Sequence, residues 1–168
     1  DVYDLLSTSA TSTVATHTIE FVAPTGIADG TTIVLDFGVD TAEFDLTGID
    51  DSDIDILEDG VNVPVAGWSS GLASDVLTIT FGGDSIAAGA TTTILIGSHA
   101  TTEGTPDTNG IVNPTTPGSY RLGISAGAED SGYTHLVIVD QVYVTANIET
   151  VFNFTVIGHA TAGTVNTE

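Results

Sequence analysis

Thirteen residues, GIDDSDIDILEDG from Gly48 to Gly60, hold the densest carboxylates of the chain: Asp50, Asp51, Asp53, Asp55, Glu58 and Asp59. Calcium takes six to eight hard oxygen ligands, and acidic loops between strands supply them. The spacing is not that of an EF-hand, because the sixth loop position, where a glycine is required, is Ile56. Asp53 and Asp55 lie two apart and share one face of an extended chain. The stretch therefore reads either as a calcium site or as a solvated acidic edge that discourages unwanted strand pairing. No cofactor is required by the sequence, and Ca2+ is the one ion that this stretch, read as a site, would suit.

Catalytic patterns are few. The nucleophile-elbow spacing G-x-S-x-G occurs at Gly67 to Gly71, around Ser69, and at Gly123 to Gly127, around Ser125. That chemistry needs a helix behind the serine. Ser69 runs instead into DVLTITF and Ser125 into the turn GAEDSG, and chance matches are expected among 19 glycines. His17, His99, His135 and His159 lack the spacing of a zinc site. A phosphate-binding P-loop is impossible without lysine. A carboxylate pair for glycoside hydrolysis has no specific signature among 23 acids. The chain is not expected to be an enzyme.

Charge sharpens this. The 168 residues carry 23 acidic side chains and one basic one, Arg121, for a formal net charge of −22. Nucleic acid, anionic membrane surfaces and phosphate ligands all need the cations this chain lacks. Lysine-dependent isopeptide crosslinks are excluded too, so any polymer is noncovalent or joined by different chemistry. With 41% apolar residues and a mean hydropathy of +0.29, the chain is a folded protein rather than an acidic disordered one. Cysteine and methionine are absent, which suits an extracellular, cell-surface location. A start at Asp1 rather than Met suggests either a removed signal segment or a chosen boundary of the expressed chain. No apolar run approaches the roughly 18 residues of a membrane helix, so no membrane insertion is expected.

The elements that must position these residues are strands. Thr/Val/Ile/Phe-rich runs span His17 to Val22, Thr32 to Phe37, Asp53 to Leu57, Val76 to Phe81, Thr92 to Ile96, Ser119 to Ser125, Thr134 to Val139, Val142 to Ile148 and Thr150 to Ile157. Turn sequences such as PTG, EDG, GGD and NPTTPG separate them. This spacing predicts an all-β fold, an antiparallel β-sandwich of Ig-like or jelly-roll-like type. TIEFVAPTGIADGTT at Thr18 echoes TITFGGDSIAAGATT at Thr78, read as a duplicated hairpin with one copy per sheet or as two solutions to one turn problem. Trp68 fits the core as well as it fits a sugar platform.

The end of the chain poses a separate question. TVFNFTVIG, Thr150 to Gly158, alternates Phe152, Phe154 and Val156 with polar residues, as a half-buried strand does. It follows the last complete hairpin, so a sandwich over 1–149 and a terminal strand and tail over 150–168 are expected. Left in solvent it would expose side chains worth roughly 1.5 to 3 kcal/mol each on burial. Addition to a neighbour's sheet removes that exposure and propagates head to tail. The rival donor is DVYDLLSTS at the other end, with Val2, Tyr3 and Leu5. Asn153-Phe154-Thr155 matches a glycosylation acceptor but falls inside the expected strand.

Taken together, HTIEFVAPTGIADGTTIVLDF, LTITFGGDSIAAGATTTILIGSHAT, NGIVNPTTPGSYRLGISAGAEDSG and VYVTANIETVFNFTVIG resemble uncharacterised secreted β-sandwich domains in surface proteins of candidate-phylum, Patescibacteria-type, bacteria. The resemblance runs from about Ser7 to Ile157 and rests on strand-and-turn order. It implies a surface or filament role and transfers no catalytic residue. More distantly, the layout is similar to pilus and biofilm-fibre subunits that donate a terminal strand. The expected function is a structural subunit of an extracellular filament made of identical copies. The alternatives are a calcium- or carbohydrate-dependent adhesion module, with cations or glycans as partners, and an S-layer component.

Overall fold

The computed structural model describes residues 1–41, 43–102, 109–127, 129–140 and 154–155. Twelve strands are present among them: β1 (Val2–Leu6), β2 (Val14–Ala15), β3 (His17–Val22), β4 (Thr32–Asp36), β5 (Ile54–Glu58), β6 (Val61–Asn62), β7 (Trp68–Ala73), β8 (Val76–Phe81), β9 (Thr91–Ile96), β10 (Ile111–Val112), β11 (Gly118–Ala126) and β12 (Asp130–Ile138). They form an antiparallel sandwich. One sheet has the order β1-β3-β9-β5-β6, the other β12-β11-β4-β8-β7, and β2 pairs with β10 in a short ribbon.

Alternation decides which side chains meet between the sheets. Ile19 and Phe21 of β3, Ile54 and Ile56 of β5, and Ile94 and Ile96 of β9 face inward from the first sheet. Ile33 and Leu35 of β4, Leu77, Ile79 and Phe81 of β8, and Leu122 and Ile124 of β11 face them from the second. Each such side chain contributes about 1.5 to 3 kcal/mol on burial, and β-branched residues suit the pleated surface that delivers them.

The two echoing segments meet each other. The first carries the chain from β3 in one sheet to β4 in the other, and the second returns it from β8 to β9. Each copy therefore crosses between sheets, a correction to the expectation of one copy per sheet. Ile27 and Ile86, the isoleucines of the two Ile-Ala-x-Gly turns, form an antiparallel bridge with N–H···O distances of 2.9 and 2.8 Å. Both are buried, so each turn serves as a lid on the same end of the core. Gly26 sits at φ 77°, and a Cβ there would stand 2.8 Å from Ile86 O, so this close approach needs glycine.

The expected strands at His17–Val22 and Val76–Phe81 agree residue for residue, and the others among the described residues shift by one to four positions. Strand β7 and the two-residue strands β2, β6 and β10 fall outside the expected runs, whereas β1 coincides with the N-terminal segment named as the rival donor. The expected strand Val142 to Ile148 lies outside the described residues. So does Thr150 to Ile157, apart from Phe154 and Thr155, which are exposed and in no ladder. Among the described residues, no helix is long and apolar enough to cross a membrane.

Candidate functional site

Each carboxylate of the acidic stretch is taken up by a backbone amide close to it. A single 3-10 turn, Asp51–Asp53, is closed by a reciprocal cap: Asp50 Oδ1 accepts from Ser52 N at 2.8 Å, and Asp53 Oδ2 accepts from Asp50 N at 3.0 Å. The Ser52 donors hold the Asp50 carboxyl below its ordinary pKa. Asp51 Oδ1 accepts from Ser70 N at 2.6 Å and so fastens the turn to β7. Asp55, buried on the outer side of β5, accepts from Thr102 N at 2.9 Å. Glu58 accepts from Ala87 N at 2.6 Å, and Asp59 from Thr91 N at 2.9 Å. The stretch thus pins loops rather than gathering ligands around a point. Among the described residues no three His, Cys, Asp or Glu side chains converge where they could hold a metal ion.

The histidines sit apart. His17 is fully buried, its Nδ1 2.7 Å from Asp4 Oδ2 and its ring edge-on to Phe37 with centroids 5.5 Å apart. His99 lies beside Thr18 Oγ1 at 3.1 Å, and burial lowers the pKa of its ring. His135 is exposed on β12, 3.4 Å from Ser119 Oγ. His159 lies outside the described residues. Neither G-x-S-x-G serine is followed by a helix: Ser69 is in β7 and Ser125 in β11. Trp68 fills the core, with its indole N–H donated to Val63 O at 3.1 Å.

The surface feature that the strand order does create is a seam. Strands β1 and β12 are the edge strands of opposite sheets, and each has one ladder partner, β3 and β11 respectively. They run side by side in parallel. Near the start, a Cβ on Gly132 would stand 3.0 Å from Val2 Cγ2. At the far end Ala10 bridges Val139 in parallel, with Val139 N donating to Ser9 O at 2.8 Å and Thr11 N to Val139 O at 3.2 Å. Among the described residues, no ladder joins β1 to β12 before that bridge.

Because inward positions on β1 are Val2, Asp4 and Leu6, the outward ones are Tyr3 and Leu5, at 48% and 66% exposure. Across the seam Tyr133, His135, Val137 and Val139 also point outward, with Tyr133 61% and Val137 59% exposed. Five of the ten large exposed apolar residues among those described therefore lie on the two strands flanking the seam, Tyr3 and Leu5 on the outward face of one sheet and Tyr133, Val137 and Val139 on that of the other. Arg121 stands at its side, the guanidinium 5.6 Å from the Tyr133 ring centroid and 3.5 Å from Asp40 Oδ1. A groove of about 610 Å³ opens at the Val2 end, walled by Tyr133, Pro24 and Val22 and reaching Phe21 and Ile124 of the core.

Of the expected contact residues, Val2 packs against its own core, and Tyr3 and Leu5 stand on the seam. Phe154 is 79% exposed, and Phe152 and Val156 lie outside the described residues. The seam's β12 side was missed. Its signal was present in YTHLVIV, where both faces of one strand are apolar.

No protein-family model and no curated protein matches the chain. Among solved structures it is similar to BcpA, the major pilin subunit of Bacillus cereus, at 8% identity and a TM-score of 0.41. A variant of the same pilin gives 8% identity and a TM-score of 0.40. In both cases the match covers 83% of this chain and 40% of the pilin, so the chain spans about two fifths of the pilin's length.

Proposed function

We propose that this chain is a structural subunit of an extracellular filament, built from identical copies held together noncovalently, in which the C-terminal segment of one copy adds to the next. The observation that carries this reading is the two apolar rows, Tyr3 and Leu5 on one edge strand and Tyr133, Val137 and Val139 on the other, on a surface of net charge −22. Exposed apolar rows on edge strands invite pairing with another chain unless something covers them. The exposed Phe154, within an uncharged stretch of alternating apolar residues, supplies matching chemistry at the other end of the chain. Strand β1 is a poorer donor, because its inward side chains serve its own sheet. Sedimentation of the full chain beside a variant lacking Thr150 to Glu168 tests the reading. The full chain pellets as polymer, and the shortened chain stays in solution with an unchanged far-UV spectrum; polymer formed equally by both would refute it.

A second reading follows from Tyr133 itself. Its exposed ring borders a depression of about 440 Å³ lined also by Asp36, Ser125 and Ser131. An aromatic face beside carboxylate and hydroxyl groups suits a neutral sugar. Binding to a glycan array that Tyr133→Ala abolishes would favour adhesion over assembly at this face.

A further inference from the structure

We infer that the β1/β12 seam is the acceptor for the C-terminal segment Thr150 to Ile157 of a second copy of this chain; the inference rests on the filament reading and adds to it the place where the donor lands. Three observations select this occupant. The first is length. The side of the seam from Gly132 to Val139 is eight residues, as is Thr150 to Ile157, and either spans about 26 Å when extended.

The second is pattern. Outward side chains on β12 and just after it alternate as Tyr133, His135, Val137 and Val139, apolar at three of four positions, and the donor carries Phe152, Phe154 and Val156 at the same two-residue period. An extended segment laid along the seam sets one apolar row against the other, with a phenyl ring available for the groove that reaches Phe21 and Ile124.

The third is charge. Two copies of a −22 chain repel, so contact is favoured where carboxylates are sparse. The nine residues from Ser131 to Val139 contain no acidic side chain, between Asp130 at the start of β12 and Asp140 after it; Arg121, the one basic side chain, stands beside them, and the described carboxylates lining the groove are confined to Asp1 and Asp130 at its Val2 end. The donor from Thr150 to Gly158 has no charged residue. Phe154 is exposed in the single chain, which leaves it available to a neighbour.

The edge of β1 is less suited to receive a strand than the row beside it. Its central inward residue is Asp4, and an inward-pointing acid is a device by which edge strands resist pairing. The segment is therefore placed along the outward row of β12, on the side of the seam that belongs to the second sheet.

The chain lacks cysteine, so a pair introduced as Val137→Cys and Phe154→Cys can be joined specifically with a short bis-maleimide. The expected product is a ladder of covalent oligomers. The same treatment of a Val61→Cys, Phe154→Cys pair, with Val61 exposed on β6 away from the seam, gives no ladder. Bridging within one chain, or no bridging at Val137, overturns the inference, even when the unaltered protein forms fibres. Fibre-free unaltered protein that still yields Val137–Phe154 dimers removes the filament reading and leaves the seam contact standing. In parallel, Val137→Asp should abolish the sedimentable fraction while Val61→Asp retains it, with the fluorescence of buried Trp68 reporting that both are folded. Assembly of Val137→Asp to the level of the unaltered chain also overturns the inference.

Discussion

Asp4 and His17 meet inside the sandwich at 2.7 Å, carboxylate to imidazole, with both side chains completely buried. The pair joins an edge strand to its neighbour through the core rather than through the ladder, since Asp4 sits opposite Ile19 and Leu6 opposite His17. Among the described residues His17 Nε2 has no hydrogen-bond partner, and Asp4 supplies the ring's one side-chain bond. The contact adds to the β1/β3 ladder and to the packing of Val2 and Leu6 in holding strand β1 against its sheet.

Removing one partner should cost more than removing both. Asp4→Leu leaves a buried imidazole unsatisfied, at a cost of about 1–3 kcal/mol. The double variant Asp4→Leu, His17→Phe recovers most of that loss, because an apolar pair of similar shape needs no partner. Urea denaturation followed by Trp68 fluorescence measures both. A single variant as stable as the original chain would contradict the assignment.

The capping role of Asp50 has a pH signature. Its folded pKa lies below the ordinary 3.8 because Ser52 donates to the charged carboxylate. The stability it contributes is therefore fully present above that ordinary value and lost as pH falls through the lowered one. Asp50→Ala should melt below the original chain at pH 7, and the gap should close progressively on acidification below about pH 3.8. Comparing the two chains largely cancels the relief of overall charge repulsion that acid also brings. A gap independent of pH would contradict the carboxylate's role.

Trypsin has one site, after Arg121, and β11 holds that residue opposite His135 of β12. Cleavage requires local unfolding of a strand between two ladders. Native protein should resist trypsin and yield cleavage only as denaturant reaches the unfolding transition. Rapid nicking at Arg121 under native conditions would show that the β11/β12 hairpin is open.

Salt should strengthen association by screening. At 0.1 M the Debye length is about 10 Å, short enough to mute repulsion between packed subunits of charge −22. Since the carboxylates of Asp50 to Asp59 already serve backbone amides, calcium and magnesium at equal concentration should act alike in light scattering. A calcium response exceeding that of magnesium, and lost in Asp51→Asn, Asp53→Asn, Asp55→Asn, would instead mark the stretch as a coordination site.

The sandwich was legible because its central strands obey one rule. His17–Val22 and Val76–Phe81 alternate cleanly, and Gly26, Gly30 and Gly89 punctuate them. Strand β1 reads from sequence as a rival donor rather than as an edge of its own sheet, because Val-Tyr-Asp-Leu-Leu reverses the usual pattern, with an acid inward and Tyr3 and Leu5 outward. Strand β7 escaped because Ser70 faces inward and Leu72 lies at the exposed end of an edge. The acidic stretch was conspicuous, but which amide each carboxylate would meet depended on loops up to 47 positions away. The seam required knowing that β1 and β12, at opposite ends of the described sandwich, lie together.

Electron microscopy of the purified full chain across a salt series tests the central claim most directly. The account predicts unbranched filaments that become longer and more numerous as ionic strength rises, without any added enzyme or crosslinking agent. Monodisperse particles of single-chain size at every ionic strength would contradict it.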